Sequence, residues 1–174
     1  MVNDAQWRCA PPVLPAPVLD CLPEPASLSL RLQAGGRRFA VRVLDQGDSR
    51  ALPDEAEALD LPPGAPLYAR HVLLTLDETP VVYARSATRH DCPAWMPVLM
   101  RGSRSLGLTL FGELPALRRE PLHYQLLDSR HPLAVEAAAA EAAETYPARR
   151  CRFLLDGSPL LLTELFLPAL KDLL

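Results

Sequence analysis

Residues 152–168 read RFLLDGSPLLLTELFLP, and the fold turns on what this stretch forms. Two apolar runs flank Asp156, Gly157, Ser158 and Pro159, a cluster of turn formers, so the segment reads as strand, tight turn, strand. The second run is bounded by Pro159 and Pro168 and is apolar at nearly every position, the pattern of a strand buried on at least one face. Glu164 stands in its middle. An unpartnered carboxylate there would cost several kcal/mol, roughly, so a donor or a ligand is expected to compensate it.

A second stretch has the same plan. Residues 73–89, LLTLDETPVVYARSATR, again read as apolar strand, Asp-x-Thr-Pro turn, apolar strand. Eight residues after the turn aspartate come Arg85 in this hairpin and Glu164 in the other, which suggests an internal two-fold arrangement of hairpins within one antiparallel sheet. Pairing Asp77 with Pro80 sets Val72 opposite Arg85 and puts Arg70 on the face of Arg85. The same register sets Glu164 opposite Cys151, with Phe153, Leu162 and Phe166 on its side. A slip of one residue reverses either face.

Around these hairpins the chain reads as a mixture of elements. Residues 1–26 form a proline-rich segment, expected to lie extended over the core. Ser27 is placed to cap a short helix through Gln33 that ends at Gly35-Gly36, followed by a strand in RRFAVRVLD. Residues 53–66 read as loop with a turn of helix, and AWMPVLM as a short helix. RGSRSLGLTLFGEL reads as a glycine-containing loop leading into a strand, and REPLHYQLL as a further strand. LAVEAAAAEAAET has the composition of a helix, which Pro147 would end. The fold class expected is α+β, with residues 1–174 as a single domain.

The chain has 174 residues, 49% of them hydrophobic, enough for one sizeable core. It has no run of about 18 apolar residues to span a membrane, and MVNDAQWRC lacks the features of a signal peptide, so a cytoplasmic protein is expected. Cys9, Cys21, Cys92 and Cys151 form no C-x-x-C pair, and His71, His90, His123 and His131 have no metal-site spacing; no metal centre is expected. Lys171 is the only lysine and is the fourth residue from the end, which argues against Schiff-base chemistry. Every other basic side chain is arginine, a planar fork suited to carboxylates. Net charge −3 and six per cent aromatics give no push towards nucleic acid.

Each candidate residue has a plainer reading. Glu164 fits an exposed edge strand, and Arg70 and Arg85 fit surface ion pairs. Two guanidinium groups sharing one apolar face would repel, however, unless an anion or Glu164 lay between them, which points to a carboxylate-bearing ligand. A buried carboxylate can also accept a hydrogen bond from a ligand hydroxyl or take part in proton transfer. RGSRS at 101–105 lacks the lysine of a phosphate-binding loop and reads as a loop over the site.

TELFLP at 163–168, with RFLLDGS, ARHVLLTLDETPVVYARS and the SLGLTLF segment, resembles the bacterial chorismate lyase family over residues 27–168. The resemblance implies a single antiparallel sheet with flanking helices and internally duplicated hairpin or flap units over an enclosed site. It implies removal of the enolpyruvyl group of chorismate to give 4-hydroxybenzoate and pyruvate, the first step of ubiquinone synthesis, with no cofactor. By motif, Arg70 matches the arginine that holds the aromatic carboxylate, Glu164 the glutamate facing the ring hydroxyl, and Arg85 a further family arginine. Leu28 and Leu106 match flap residues that approach the ligand. Arg70, Arg85 and Glu164 are thus the catalytic candidates, and Arg70, Leu28, Leu106 and Glu164 the substrate-binding ones. Slow release of a buried product, hence product inhibition, follows from such enclosure. The competing expectation is a non-catalytic sensor of aromatic carboxylates, because effector domains of GntR-type regulators resemble this fold. Only about 26 residues precede the matched region, too few for the winged helix of such a regulator. A monomer is expected.

Overall fold

Seven antiparallel strands form one sheet in the computed structural model, which describes residues 7–23, 26–112 and 114–174. They are β1 (Phe39–Arg50), β2 (Pro66–Leu76), β3 (Thr79–Arg89), β4 (Arg118–Arg119), β5 (His123–Asp128), β6 (Thr145–Leu155) and β7 (Ser158–Phe166), ordered β1-β2-β3-β7-β6-β4, with β5 also paired to β6. The α+β class and single sheet expected from the sequence are what the chain forms.

Both hairpins close on two-residue turns. Asp77 and Glu78 have φ of 47° and 70°, and Asp156 and Gly157 have 50° and 76°. Positive φ at both central positions matches the right-handed twist of the flanking strands and gives the tightest connection. The turns therefore pair Leu76 with Thr79 and Leu155 with Ser158, one residue earlier than an Asp-to-Pro closure, which moves the register by two. In β6–β7 this shift of two keeps every side chain on its expected face: Glu164 pairs with Arg149 rather than Cys151, and Cys151 with Leu162.

In β2–β3 the outcome differs, because Val81 is an extra residue bulged between the Thr75–Pro80 and Leu74–Val82 pairs. Its carbonyl accepts from Leu167 N–H at 2.9 Å, where the chain leaves β7. The bulge removes one position of the shift and so reverses the expected face: Arg85 pairs with His71 and Arg70 with Ser86. Arg70 and Arg85 consequently point to opposite faces of the sheet, which corrects the expectation that they share one.

β3 and β7 pair antiparallel, Ala84 with Glu164 and Ser86 with Leu162. The two hairpins are thereby related by an approximate two-fold axis normal to the sheet. With the bulge counted, the counterpart of Glu164 is Ser86, and the counterpart of Arg149 is Arg70.

Short helices cover the two faces. On one lie α2 (Leu28–Gln33) and α4 (Leu106–Gly112), with α3 (Met96–Leu99) beside them. Ser27 caps α2 as expected, accepting from Leu30 N–H at 3.4 Å. α4 occupies the segment read as loop and strand; Ser105 Oγ accepts from Leu108 N–H at 3.3 Å and caps its first turn. The opposite face is covered by α5 (Pro132–Ala138), which buries Leu133, Ala134 and Ala137. α5 stops well short of Pro147, because the hydroxyl of buried Tyr146 donates to Glu141 O and accepts from Ala143 N–H, satisfying backbone groups that a longer helix would have used. Pro147 instead lies in β6, paired with Leu126 and just before the first residue paired to β7.

Of the proline-rich segment 1–26, residues 1–6, 24 and 25 lie outside the described residues. The remainder includes α1 (Ala16–Cys21), a short helix where extended chain was expected. Residues 53–66 hold one helical turn, Glu57–Leu59, and α6 (Leu170–Leu173) ends the chain.

Candidate active site

Alternation puts Leu160, Leu162, Glu164 and Phe166 of β7 on the face covered by α2 and α4, opposite Arg149, Cys151 and Phe153 of β6 and Ala84 and Ser86 of β3. A cavity lies between this face and the two helices. Its walls are mainly apolar, with Val72, Leu74 and Leu162 among them, and its polar groups are few: Arg70, Arg119, Arg149, Glu164, Ser86 and the serines of the helix ends. An enclosed apolar space with a small number of fixed polar groups is the usual form of a small-molecule site.

Glu164 is 7% exposed, and its Oε2 accepts from Arg149 Nε at 2.6 Å. Arg149 is equally buried and also donates through NH1 to Leu22 O at 3.2 Å. Arg149 is thus the compensating donor that the sequence of β7 called for, and it fixes one carboxylate oxygen while the carboxyl group faces the cavity.

Arg70 occupies the symmetry-related position, but there the neighbouring strand carries Ser86 in place of a glutamate. It is 3% exposed and has no carboxylate partner among the described residues. One edge is held by the loop before α4, NH2 donating to Gly102 O at 3.0 Å and Arg104 O at 3.1 Å. Its Nε is buried with no partner. Burial pushes the guanidinium pKa down. A buried cation with an unused donor beside an apolar cavity has the chemistry to hold an anion.

The roof is two helix N-termini drawn together. Ser29 and Ser105 hydroxyls are hydrogen-bonded at 2.6 Å. Gly107 makes this approach possible, since a Cβ there would lie 3.0 Å from Ser27 Oγ and 3.1 Å from Ser29 Oγ. Leu28 and Leu106 line the cavity from these helices, so four of the five sequence candidates, Arg70, Glu164, Leu28 and Leu106, meet in one place.

A profile of the family described as chorismate lyase matches residues 1–172. The chain is 40% identical over 175 residues to a protein of Aromatoleum aromaticum named probable chorismate pyruvate-lyase, covering 96% of this chain and 94% of that protein. It is 41% identical over 152 residues to a protein of the same name from Ralstonia nicotianae, covering 83% and 77%. The chain belongs to the chorismate lyase family. Among solved structures it is similar to the effector domain of PhnF from Mycobacterium smegmatis, at TM-score 0.53 and 18% identity over 82% of this chain and 89% of that one. A GntR-family regulator from Bacillus cereus gives TM-score 0.55 at 12% identity, over 75% and 92%. At such identities these likenesses concern the fold alone.

The fifth candidate lies elsewhere in this chorismate lyase family member. Arg85 is buried on the opposite face, clamped to Glu55 by NH2–Oε1 at 2.6 Å and Nε–Oε2 at 3.1 Å. Its other donors reach Arg50 O at 3.0 Å, Ser49 Oγ at 3.4 Å and His71 Nε2 at 3.1 Å. All five N–H groups are used within the protein, so none is left for a ligand. Two charged cavity residues escaped the sequence reading, Arg149 and Arg119. Arg149 had a signal: it stands two residues before Cys151, and strand parity already put Cys151 on the face of Glu164. Arg119 comes from a two-residue strand with no periodicity to place it.

Proposed function

We propose that this protein is a chorismate pyruvate-lyase. The observation that carries the reading is the pair of buried polar groups across one apolar cavity, Arg70 with its unused Nε and Glu164 held by Arg149, in a member of this family. Chorismate bears a carboxylate on C1 and a hydroxyl on C4 of its ring. A ring laid between β2 and β7 presents the carboxylate to Arg70 and the hydroxyl to Glu164.

The reaction breaks the bond between ring C3 and the enolpyruvyl oxygen. The ring loses its C4 hydrogen and becomes aromatic 4-hydroxybenzoate; the enolpyruvyl methylene gains one hydrogen and becomes the methyl group of pyruvate. Aromatisation supplies the driving force. The protein's contribution is to exclude water, hold the dianion and orient the C4 hydroxyl, with Arg149 keeping the Glu164 carboxylate in place. Because Arg70 and Glu164 grip ring substituents that persist in the product, 4-hydroxybenzoate is held too, and its release is slow. In this reading Arg85 supports the fold.

In this reading the monomer is the working unit. Four unpaired cysteines, three of them buried, support the cytoplasm as its compartment.

The test is to incubate the protein with chorismate in EDTA, identify the aromatic product by chromatography and assay pyruvate. Equimolar pyruvate and 4-hydroxybenzoate are expected. Arg70→Ala and Glu164→Ala should each lower kcat/KM at least about tenfold. A folded protein that binds 4-hydroxybenzoate and releases no pyruvate would overturn the enzymatic reading in favour of a sensor.

A further inference from the structure

We propose that Arg119 binds the second carboxylate of chorismate, the one on the enolpyruvyl side chain, and so separates substrate from product. This rests on the chorismate reading above. The substrate is a dianion, whereas 4-hydroxybenzoate carries one carboxylate. The cavity is lined by three arginines, Arg70, Arg119 and Arg149. Arg70 is assigned to the ring carboxylate, and the charge of Arg149 is met by Glu164. Arg119 is half-buried and forms no ion pair among the described residues; the adjacent Glu120 pairs with Arg152 at 3.0 Å instead.

Position favours the same assignment. The line from Arg70 on β2 to Glu164 on β7 crosses the floor diagonally, two strands over and one residue pair along. On one side of this line the floor is Val72, Leu74 and Val41, with no polar side chain to meet an anion. On the other are Cys151 and Phe153, with Arg119 paired to Phe153 in the next strand. The enolpyruvyl ether stands on C3, next to the C4 hydroxyl, so it must fall on one side of the line. A carboxylate turned towards the first side would be buried unpaired; turned towards the second, it meets Arg119.

The guanidinium of Arg119 is already aimed there. It lies over the Phe111 ring, 4.9 Å from the centroid, and within hydrogen-bonding reach of the Cys151 thiol. Those contacts orient the fork while leaving donors for a carboxylate. Arg119 and Leu122 also border an open surface groove with Pro121 and Tyr124, so a small anion at Arg119 sits beside a way out of the cavity.

Titration calorimetry and steady-state kinetics on Arg119→Met, which keeps the apolar stem, test the assignment, with circular dichroism to establish folding. kcat/KM for chorismate should fall at least tenfold while the Kd for 4-hydroxybenzoate changes less than twofold, and Arg119→Lys should recover part of the loss. Unchanged chorismate kinetics, or equal weakening of both ligands, would overturn it. Should the wild-type protein release no pyruvate, the reading as an enzyme fails, and the calorimetry still decides: selective loss of chorismate binding in Arg119→Met supports the assignment. Failure of the wild-type protein to bind chorismate more tightly than 4-hydroxybenzoate refutes it.

Discussion

Arg149→Met should both destabilise the fold and disable the site, and the two effects can be separated. The Arg149–Glu164 contact is 2.6 Å long, with side chains 5% and 9% exposed. Charges about 4 Å apart attract by roughly 4 kcal/mol at an effective dielectric near 20. Removing one partner forfeits that attraction and leaves the other charge buried, a loss of about 3–5 kcal/mol in comparable pairs. Replacing both partners with apolar residues of similar volume avoids the stranded charge. Urea unfolding of Arg149→Met, Glu164→Leu and the double variant therefore should show two large single losses and a double loss well below their sum, with a coupling of at least about 2 kcal/mol. The transition slopes should stay equal, so that midpoints report stability. Turnover distinguishes the roles: at a temperature where each variant is folded, Arg149→Met should have kcat/KM reduced at least about tenfold, since the carboxylate is no longer held towards the ligand. A single loss under about 1 kcal/mol, or additive losses, would refute the claim that this pair compensates the charge in β7.

Three further outcomes follow from other parts of the structure. Arg85→Met should cost about 3–5 kcal/mol of stability, and adding Glu55→Leu should restore most of it with KM for chorismate near the wild-type value; a raised KM in the restored double variant would return Arg85 to the site. Gly107→Ala should push the two helix ends apart against Ser27 and Ser29 and raise the rate of 4-hydroxybenzoate release by about threefold or more, measured by stopped-flow displacement. His71 has its pKa lowered by burial and by Arg85, whose NH1 donates to Nε2 and leaves Nδ1–H to donate to Tyr83 at 2.5 Å. The unfolded chain therefore takes up the proton first. The stabilisation from this residue is complete above its ordinary value of 6.5 and is lost as pH falls below it towards the depressed folded value, at up to about 1.4 kcal/mol per pH unit. Urea midpoints of wild type and His71→Gln between pH 7 and 5 should converge as the pH falls; parallel curves would contradict the assignment.

How far the sequence carried the site depended on what kind of information each residue needed. Strand periodicity and turn chemistry were local, so both hairpins were legible, and in β6–β7 the face of Glu164 survived a register error of two because side chains repeat every two residues. The same reasoning failed for Arg85 because a single bulged residue, Val81, reverses parity, and what stabilises the bulge is a bond from Leu167 on a distant part of the chain. α4 was hidden for a similar reason. Glycines at 107 and 112 lower its intrinsic helix preference, and Gly107 is set there by its closeness to Ser27 and Ser29 across the cavity. The alanine-rich stretch erred the other way, with propensity promising a longer helix than the Tyr146 hydroxyl allows.

The bulge also explains why one duplicated hairpin pair can make an asymmetric site. Without it, equal counting from the two turns would set Arg85 as the counterpart of Glu164 and directly opposite Arg70, giving the cavity two adjacent guanidinium groups with no carboxylate between them. With it, Arg85 turns away to Glu55, Ser86 takes its place, and Arg70 is left opposite a neutral side chain while its counterpart Arg149 keeps a glutamate. One half of the symmetric frame thus presents an unpaired cation and the other a held carboxylate. A ring with an acid at one end and a hydroxyl at the other needs that difference, since two matched ends would bind either group in either orientation. On the proposed function the inserted residue at Val81 contributes to specificity along with the arginines, and deleting it should turn Arg85 back towards the cavity at the expense of both the Glu55 clamp and the proposed ring carboxylate site.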